Sequence, residues 1–334
     1  MTEKMSIIIP TYNRATMLPH AIESVLSQAY TNFQIIIADD GSIDNTEAVI
    51  QKYLVDPRII YFKNPINIGC HPNIRKALYE YTNGKYIFIL SDDTYLIDPN
   101  YFSNAITMMI KHHSKLLLSN FVIVFDENGK RQTFKDNQAL PELTTGESMY
   151  FGWCNPILLN SSTAIFERNY AITYLNPYDK NIVFADQELW LRFFLSPKCN
   201  VSFLKTHSVA FLSHFNSMTM KQNLEDFIDG LVWCTSTEDL AKQQFNPTRV
   251  MNHVDFLLKK SLLNAVGPII TFKNFFTFLH LLKDKNPRAY NLFLPALLKS
   301  PSRLFRLLLS SIPSLYRTCI KLRFQLRKYK EGLV

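Results

Sequence analysis

The sequence contains few cysteines and no pattern that would join them. The five are scattered singly, none forms a CxxC pair, and their number is odd. A disulfide framework and a structural zinc site both depend on paired or regularly spaced cysteines, so the pattern argues against both. We interpret them as reduced thiols: Cys70, Cys154, Cys199, Cys234 and Cys319.

Long apolar segments are also missing where a membrane anchor would need them. Within residues 301–330 no uninterrupted apolar run approaches the roughly 20 residues that span a bilayer. The first residues run directly into a strand-like segment, without the basic start and apolar core of a signal peptide. We therefore expect a cytoplasmic protein.

Charged residues are scarce, at 19% of the chain against about 25% in average globular proteins. Hydrophobic residues make up 47% of the 334 positions, which is enough to bury a core. The charge is uneven, because Asp255–Val334 carries fifteen Lys or Arg and three acids, net +12, whereas residues 1–254 carry 21 basic and 25 acidic residues, net −4. We predict one α/β domain, residues 1–220, and a helical, basic, amphipathic extension, residues 221–334.

Short apolar runs alternate with segments of helical periodicity over the first 90 residues. The predicted strands are Ser6–Pro10, Phe33–Ala38, Arg58–Phe62 and Lys85–Leu90. This alternation predicts a doubly wound sheet flanked by helices, in which ligands bind beyond the carboxyl ends of the strands. Polar residues follow three of those ends, so we expect one cleft formed by Thr11–Asn13, Asp39–Ser42 and Asp92–Asp93.

Two motifs carry a resemblance to a known family. They are Ile9–Arg14, IPTYNR, and Ala38–Thr46, ADDGSIDNT. Together they resemble the family 2 glycosyltransferases, and the resemblance covers roughly residues 5–217. It implies the GT-A fold, with a mixed, mostly parallel sheet, and the use of nucleotide-diphospho-sugars. It also implies that the loop cradling the nucleotide consists of Pro10, Thr11, Tyr12 and Asn13.

Two acidic residues end the second predicted strand. A carboxylate there can accept a hydrogen bond from the N–H of a uracil-type ring, and such a charge-assisted bond is strong and selective. We predict this role for Asp39 and assign Asp40 to donor binding as well. The alternative is structural, with Asp-Gly-Ser forming the turn and Asp44 capping the next helix. By resemblance, Asn67 and Arg75 belong to the loop and helix that close over the nucleotide.

A third motif, Ser91-Asp92-Asp93-Thr94, follows the fourth predicted strand. The family has its metal-binding acidic cluster here, so the resemblance assigns Asp93 to Mn²⁺ or Mg²⁺ and Asp92 to the ribose or donor sugar. Hard oxygen ligands suit such a cation, whose charge would stabilise a leaving diphosphate. Leu90 stands where many members have a further Asp. His214 resembles a late residue that in some relatives meets the metal or diphosphate. The alternative for the acidic pair is a solvated turn.

The fourth motif, Ala185–Arg192, ADQELWLR, resembles the helix start that carries the family's catalytic base, although Ala185 replaces the usual Glu. The resemblance assigns the base to Asp186. An acceptor hydroxyl is a poor nucleophile near neutral pH, so a carboxylate must take its proton. One base implies direct displacement with inversion, since a retaining enzyme needs a second carboxylate as nucleophile. The alternative is a helix N-cap. Candidate acceptor-binding residues are Trp153, Asn155, Glu188 and Trp190.

These residues predict an inverting, metal-dependent glycosyltransferase that uses a UDP-sugar in preference to other nucleotides. The resemblance implies a lipid-linked or polysaccharide acceptor in bacterial O-antigen-like or capsule-like glycan synthesis. The basic extension is predicted to bind anionic lipid at the inner face of the cell membrane, at about 1 kcal/mol for each Lys or Arg. Packing of the extension on the catalytic domain, or a homo-oligomer, is the alternative.

Other functions stay open at this stage. A non-catalytic glycan-binding or scaffold protein is one, because Leu90 and Ala185 both replace expected acids. A nucleotidyltransferase is another, but Pro10–Asn13 lacks the expected glycine-rich phosphate loop. A nucleic-acid partner is not expected, because no nucleic-acid-binding module is recognisable.

Overall fold

The structure is a computed structural model that describes residues 3–125, 130–133, 140–152, 161–179, 184–213, 223–266, 269–271 and 273–310. The chain forms two compact units, Met1–Ser217 and Met218–Val334. The division predicted from the sequence, a glycosyltransferase domain at residues 1–220 and a basic extension at 221–334, stays a prediction.

The first unit combines strands and helices. Its strands are β1 (Met5–Thr11), β2 (Phe33–Asp39), β3 (Ile59–Lys63), β4 (Tyr86–Ile89), β5 (Thr94–Leu96), β6 (Leu116–Phe125), β7 (Lys130–Thr133), β8 (Leu143–Thr145), β9 (Ala164–Glu167) and β10 (Asn200–Ser213). Its helices are α1 (Leu18–Leu26), α2 (Thr46–Gln51), α3 (Cys70–Lys76), α4 (Tyr101–His112), α5 (Gly146–Gly152), α6 (Arg168–Leu175) and α7 (Ala185–Leu195). A π-helical turn, Ala77–Tyr81, continues α3.

All ten strands belong to one mixed sheet with the order β3-β2-β1-β4-β9-β6-β10-β5, in which β7 pairs with β6 and β8 with β10. The two longest ladders, β1 with β2 and β6 with β10, are parallel. Antiparallel β9 joins the parallel group around β1 to the β6–β10 pair. The prediction of an α/β fold with a mixed, mostly parallel sheet flanked by helices is confirmed.

The central strands are buried on both faces, which explains their continuous apolar sequences. Ile7, Ile8 and Ile9 of β1 are fully buried, as are all of Ile35–Ile37 in β2. A strand covered by helices on both sides has no solvent-facing positions and therefore shows no alternation of apolar and polar residues. The ends of these strands, where the apolar runs stop, are the positions at which polar loops begin.

The second unit is helical where it is described. Its helices are α8 (Leu224–Gly230), α9 (Val232–Thr235), α10 (Glu238–Gln244), α11 (Pro247–Ala265), α12 (Phe275–Lys285), α13 (Pro287–Leu298) and α14 (Pro301–Leu309). Phe278 of α12 packs edge-on against Phe293 of α13, with ring centroids 5.3 Å apart. Arg288 of α13 bonds to Glu238 of α10 and to Asp255 of α11. No helix among the described residues of either unit combines the length and apolar character needed to span a bilayer.

His253, buried in α11, predicts a pH-dependent stability. Burial, with a smaller contribution from the charge of Arg249, lowers the pKa of the His253 imidazole to about 4. The unfolded chain binds this proton near pH 6.5, so stability is complete above that pH and declines as the pH falls towards 4. His253→Leu removes this pH-dependent contribution to the free energy of unfolding, which is at most about 3 kcal/mol. Urea denaturation at pH 7.0 and 4.5 measures the difference.

The control is His113→Asn, because His113 is exposed and its φ of 49° suits asparagine. The control should keep the pH dependence of the native chain, whereas His253→Leu should lose less unfolding free energy on acidification. Equal losses in the native chain and in His253→Leu would contradict the assignment.

Candidate active site

The first two sequence motifs form one bonded unit at the carboxyl ends of β1 and β2. The Asn13 N–H donates to Ser42 Oγ at 2.9 Å, and the Ile43 N–H donates to Asn13 Oδ1 at 2.9 Å. Asn13 adopts the left-handed region at φ 55°, which asparagine tolerates well. Gly41, at φ 78°, is required, since a Cβ there would lie 2.8 Å from the carbonyl carbon of Ile66. Thr11 is buried, whereas Tyr12 is 42% exposed.

Asp44 also bonds to this unit, although the N-cap residue of α2 is Asn45 rather than Asp44. Its Oδ2 accepts the N–H of Ala15 at 3.2 Å, and its Oδ1 accepts the N–H of Thr46 at 3.0 Å, at the start of α2. These bonds favour the ionised carboxylate, and the pKa of Asp44 is lowered although partial burial, the largest single influence, acts to raise it.

The carboxylate of Asp39 is bonded within the protein at the end of β2. It is fully buried, its Oδ1 accepts the Ser42 N–H at 2.8 Å, and its Oδ2 accepts the Tyr61 hydroxyl at 2.9 Å. A carboxylate oxygen can accept more than one hydrogen bond, so the assignment of Asp39 to a uracil-type ring stays a prediction. The two bonds within the protein give Asp39 a role in shaping the turn after β2.

Asp40 also organises the loop that leads into α3. Its Oδ1 accepts the N–H of Ile68 at 2.9 Å, and its Oδ2 accepts the N–H of Gly69 at 2.8 Å. Asn67 Oδ1 accepts the same Gly69 N–H at 3.0 Å. The Asn64 amide donates to Asp40 Oδ1 at 3.0 Å. Asp40 and Asn67 thus set the geometry of this loop, and their assignment to the donor stays a prediction.

The acidic pair follows β4, as the sequence indicated. Burial, followed by the negative charge of Asp93, raises the pKa of the Asp92 carboxyl to about 7. The charge of Arg14 and the N–H of Tyr12 act in the opposite direction. The loop after β1 therefore lies against the acidic pair, and two crowded carboxylates face the same region.

The thiol of Cys70 shows that carboxylates from separate parts of the chain converge. Cys70 begins α3, and its pKa is raised to about 12 by burial and then by the negative charges of Asp186, Asp92, Asp40 and Asp93, in decreasing order. Charge interactions weaken with distance, so the four carboxylates that act on this thiol lie near it. The turn after β2, the turn after β4 and the start of α7 therefore meet in one region.

Asp186 lies in the first turn of α7 and is partly buried. Its Oδ1 accepts the hydroxyl of Tyr178 at 3.1 Å. The N-terminal position exposes the carboxylate to unsatisfied backbone N–H groups of the helix, which stabilise negative charge. Sequence reasoning missed Tyr178, because it lies in a turn outside the four motifs, where no periodic pattern marks it.

The burial of Glu188 and Trp190 on α7 argues against their predicted contact with the acceptor. The Trp190 ring is fully buried and packs edge-on near Phe166, with centroids 6.4 Å apart, so it belongs to the core and cannot stack on a sugar. Glu188 is 3% exposed and forms an ion pair with Arg192 at 3.0 Å. Its carboxylate holds α7 together, because a buried charge requires such a partner.

Arg75, predicted to close over the nucleotide, bridges two protein segments. Its guanidinium donates to the Pro177 carbonyl at 2.8 Å and stacks on the Tyr79 ring, 4.5 Å from the centroid. These contacts fix the segment before α7, and the assignment of Arg75 to the nucleotide stays a prediction.

Three further candidates, His214, Trp153 and Asn155, lie outside the described residues. Among the residues that are described, no group of three or more His, Cys, Asp and Glu side chains could hold a metal ion. The donor set of the acidic pair, two carboxylates with hard oxygens, suits Mg²⁺ or Mn²⁺ if phosphate oxygens or water complete the coordination.

Comparison with known proteins adds independent information. The family model described as glycosyl transferase family 2 matches residues 6–186. The Escherichia coli UDP-Glc:alpha-D-GlcNAc-diphosphoundecaprenol beta-1,3-glucosyltransferase WfaP is 33% identical over 193 residues, 57% of this chain and 69% of that protein. WfgD, with the same described activity and organism, is 28% identical over 193 residues, 56% of this chain and 68% of that protein.

Two solved structures show a similar fold. Residues 1–349 of S. aureus TarS, in complex with UDP-GlcNAc, match with a TM-score of 0.67 and 17% identity, covering 98% of this chain and 92% of that one. The mannosyltransferase PcManGT from Pyrobaculum calidifontis, in complex with GDP-Man and Mn²⁺, matches with a TM-score of 0.54 and 13% identity, covering 95% and 88%. At these identities the likeness concerns the fold.

Proposed function

Because this chain belongs to glycosyl transferase family 2, we propose that it moves a sugar from UDP to a lipid-linked acceptor, with inversion, in the synthesis of a surface polysaccharide. The relatives WfaP and WfgD, whose names describe a UDP-glucose donor and a diphosphoundecaprenol acceptor, support the substrate classes. The observation that carries the proposal is that Asp40, Asp92, Asp93 and Asp186, from separate parts of the chain, all lie near enough to Cys70 to raise the pKa of its thiol.

In the proposed reaction Asp186 acts as the general base. Its carboxylate takes the proton of an acceptor hydroxyl as that oxygen bonds to the anomeric carbon of the donor sugar. The bond from the anomeric carbon to the diphosphate oxygen breaks with its electron pair, so the nucleoside diphosphate leaves. A single displacement of this kind inverts the anomeric carbon.

Asp93, with Asp92 beside it, would hold a divalent cation, Mn²⁺ or Mg²⁺. Such a cation supplies positive charge next to the leaving diphosphate. The protein's own contribution is to bring the acidic pair, the Tyr12 N–H and Arg14 into one region, so that a charged donor is oriented before the proton moves.

The proposed function is tested by measuring nucleotide release with a panel of sugar nucleotides. The purified chain is supplied with UDP-, GDP-, dTDP- and CDP-sugars, with Mn²⁺ or Mg²⁺, and with a short diphospholipid-linked saccharide. We expect release that depends on the acceptor and is fastest with one UDP-sugar. Binding of nucleotide without turnover for any donor would instead favour the non-catalytic glycan-binding protein.

A lipid-linked acceptor requires the enzyme to work at a membrane surface, and α14 in the second unit fits this task. Phe305 and Leu308 of α14 are 61% and 52% exposed, and the same helix carries Arg303 and Arg306. No acidic residue occurs from 285 to 330. Exposed apolar side chains beside basic ones favour anionic lipid.

We expect the chain to sediment with phosphatidylglycerol vesicles and to bind phosphatidylcholine vesicles far more weakly. The double change Phe305→Ser and Leu308→Ser should weaken binding at least about 10-fold, because each buried apolar side chain contributes roughly 1.5–3 kcal/mol. The control is Val55→Ser, since Val55 is 87% exposed in the first unit. Equal binding by the control and the α14 variant would contradict a role for this face.

A further inference from the structure

Tyr178 occupies a strained and enclosed position next to the proposed base. Its side chain is 4% exposed, and its hydroxyl donates to Asp186 Oδ1 at 3.1 Å. Its φ of 57° lies in the left-handed region, which a bulky residue with a Cβ rarely adopts. Such a conformation persists only where surrounding contacts hold it, and such positions cluster at functional sites.

Those surrounding contacts come from α3 and α7. The His71 ring of α3 stacks on the Tyr178 ring, with centroids 5.6 Å apart and an interplanar angle of 11°. Arg75 donates to the Pro177 carbonyl at 2.8 Å. From α7, Arg192 donates to the Leu175 carbonyl at 2.9 Å. Arg192 also forms an ion pair with Asp179 at 3.1 Å, so the segment that carries Tyr178 is held on both sides of the tyrosine.

The same helix α3 is tied to the turn after β2. Asp40 accepts the N–H groups of Ile68 and Gly69, the two residues that precede α3. His71 lies within the first turn of α3 and contacts Tyr178. A continuous set of contacts thus leads from the predicted donor-binding turn, through α3, to the carboxylate of Asp186.

Tyr178 is suited to hold this carboxylate and unsuited to act as a base itself. Burial, followed by the negative charge of Asp186, raises the pKa of Tyr178 well above its ordinary value of 10, so the hydroxyl keeps its proton and remains a donor. A donor on Oδ1 restricts rotation of the carboxylate and leaves Oδ2 to receive the proton of the acceptor hydroxyl.

Building on the proposed function, we propose that Tyr178, held by the stacked His71 ring, is a positioning residue that fixes the orientation of the Asp186 carboxylate for proton transfer. The bond length, the parallel stacking and the left-handed backbone carry this inference. Misplacement of a reacting group by about 1 Å can cost on the order of 100-fold in rate, so orientation alone can have a large effect.

The test is Tyr178→Phe, which removes the hydroxyl and keeps the ring on His71. We expect kcat to fall about 10-fold while KM for the nucleotide sugar changes less than about twofold, because donor contacts are intact. The acidic limb of the pH profile of kcat should move to higher pH, since the charged carboxylate loses a hydrogen-bond donor.

The matched control is Tyr170→Phe. Tyr170 is also buried, and its hydroxyl bonds to Ser196 Oγ and to the Pro197 carbonyl, each at 2.6 Å, away from Asp186. Tyr170→Phe should alter thermal stability without moving the pH profile. A shift of the pH profile in both variants would mark a general structural effect and overturn the proposal.

A double-mutant cycle with Asp186→Asn separates this inference from the proposed function. If Tyr178 acts through Asp186, adding Tyr178→Phe to Asp186→Asn should lower kcat by less than about twofold further. Wild-type turnover in Asp186→Asn would overturn the proposed base. An inactive Asp186→Asn with an unchanged kcat and pH profile in Tyr178→Phe would overturn only the positioning role.

Discussion

Asp186→Asn should bind the nucleotide-sugar donor normally and lower kcat by about 100- to 10,000-fold, the usual contribution of a general base. Asparagine has the same shape and can still accept the Tyr178 hydroxyl, so the geometry of α7 should persist. It cannot take a proton from the acceptor. Single-turnover rates with saturating donor and acceptor measure this loss, and calorimetry with the nucleoside diphosphate measures binding.

Asp239→Asn is the matched control for this substitution. Asp239 is the second residue of α10, as Asp186 is the second residue of α7, and it is exposed in the other unit. Both changes remove one negative charge from a helix N-terminus, which costs about 0.3–1 kcal/mol of stability. The control should therefore keep its kcat. Comparable turnover in both variants would remove Asp186 from the mechanism.

The second large effect is expected at the acidic pair. Asp93→Asn should raise the concentration of Mn²⁺ or Mg²⁺ needed for half-maximal turnover by at least about 100-fold. Substituting a residue that only supports a metal ligand already lowers metal affinity about 10- to 100-fold, and Asp93 is proposed as a ligand itself. Excess metal should restore part of the activity, because the loss lies in metal affinity. Turnover is measured across a metal titration, together with UDP binding with and without the metal.

Asp98→Asn provides the comparison for Asp93→Asn. Asp98 lies five residues after Asp93 in the chain. Its Oδ1 accepts the N–H of Asn100 at 2.9 Å, just before the start of α4. The Asp98→Asn variant should need the same metal concentration for half-maximal turnover as the native chain. Full activity of the native chain after exhaustive chelation would show that no divalent metal takes part, and the role of Asp93 would then have to be reassigned.

Much of the fold was predictable because its signals are local. The four predicted strands correspond to β1–β4, and the predicted helix after Asp186 corresponds to α7. Apolar runs that stop abruptly at polar turns mark buried parallel strands, and their carboxyl ends lie at one edge of the sheet. The family assignment also followed from local strings, since IPTYNR and ADDGSIDNT lie within or beside those turns.

The roles of individual side chains were less predictable, because burial and hydrogen-bond partners depend on the whole fold. Asp39 and Asp40 are adjacent and chemically identical, yet Asp39 bonds to Ser42 and Tyr61, whereas Asp40 bonds to the loop before α3. Trp190 lies between the charged residues Glu188 and Arg192 in the sequence but is in the core. Nothing in the local pattern around either residue distinguishes a ligand contact from a packing contact.

Local sequence was sufficient for the strand and helix order, the placement of the acidic turns and the family, because periodicity and turn chemistry depend on neighbours along the chain. Tertiary structure alone determined that Asp40, Asp92, Asp93 and Asp186 lie near one thiol and that Tyr178 donates to Asp186. Those contacts join residues distant in sequence, and their distances follow from how helices pack on a twisted sheet.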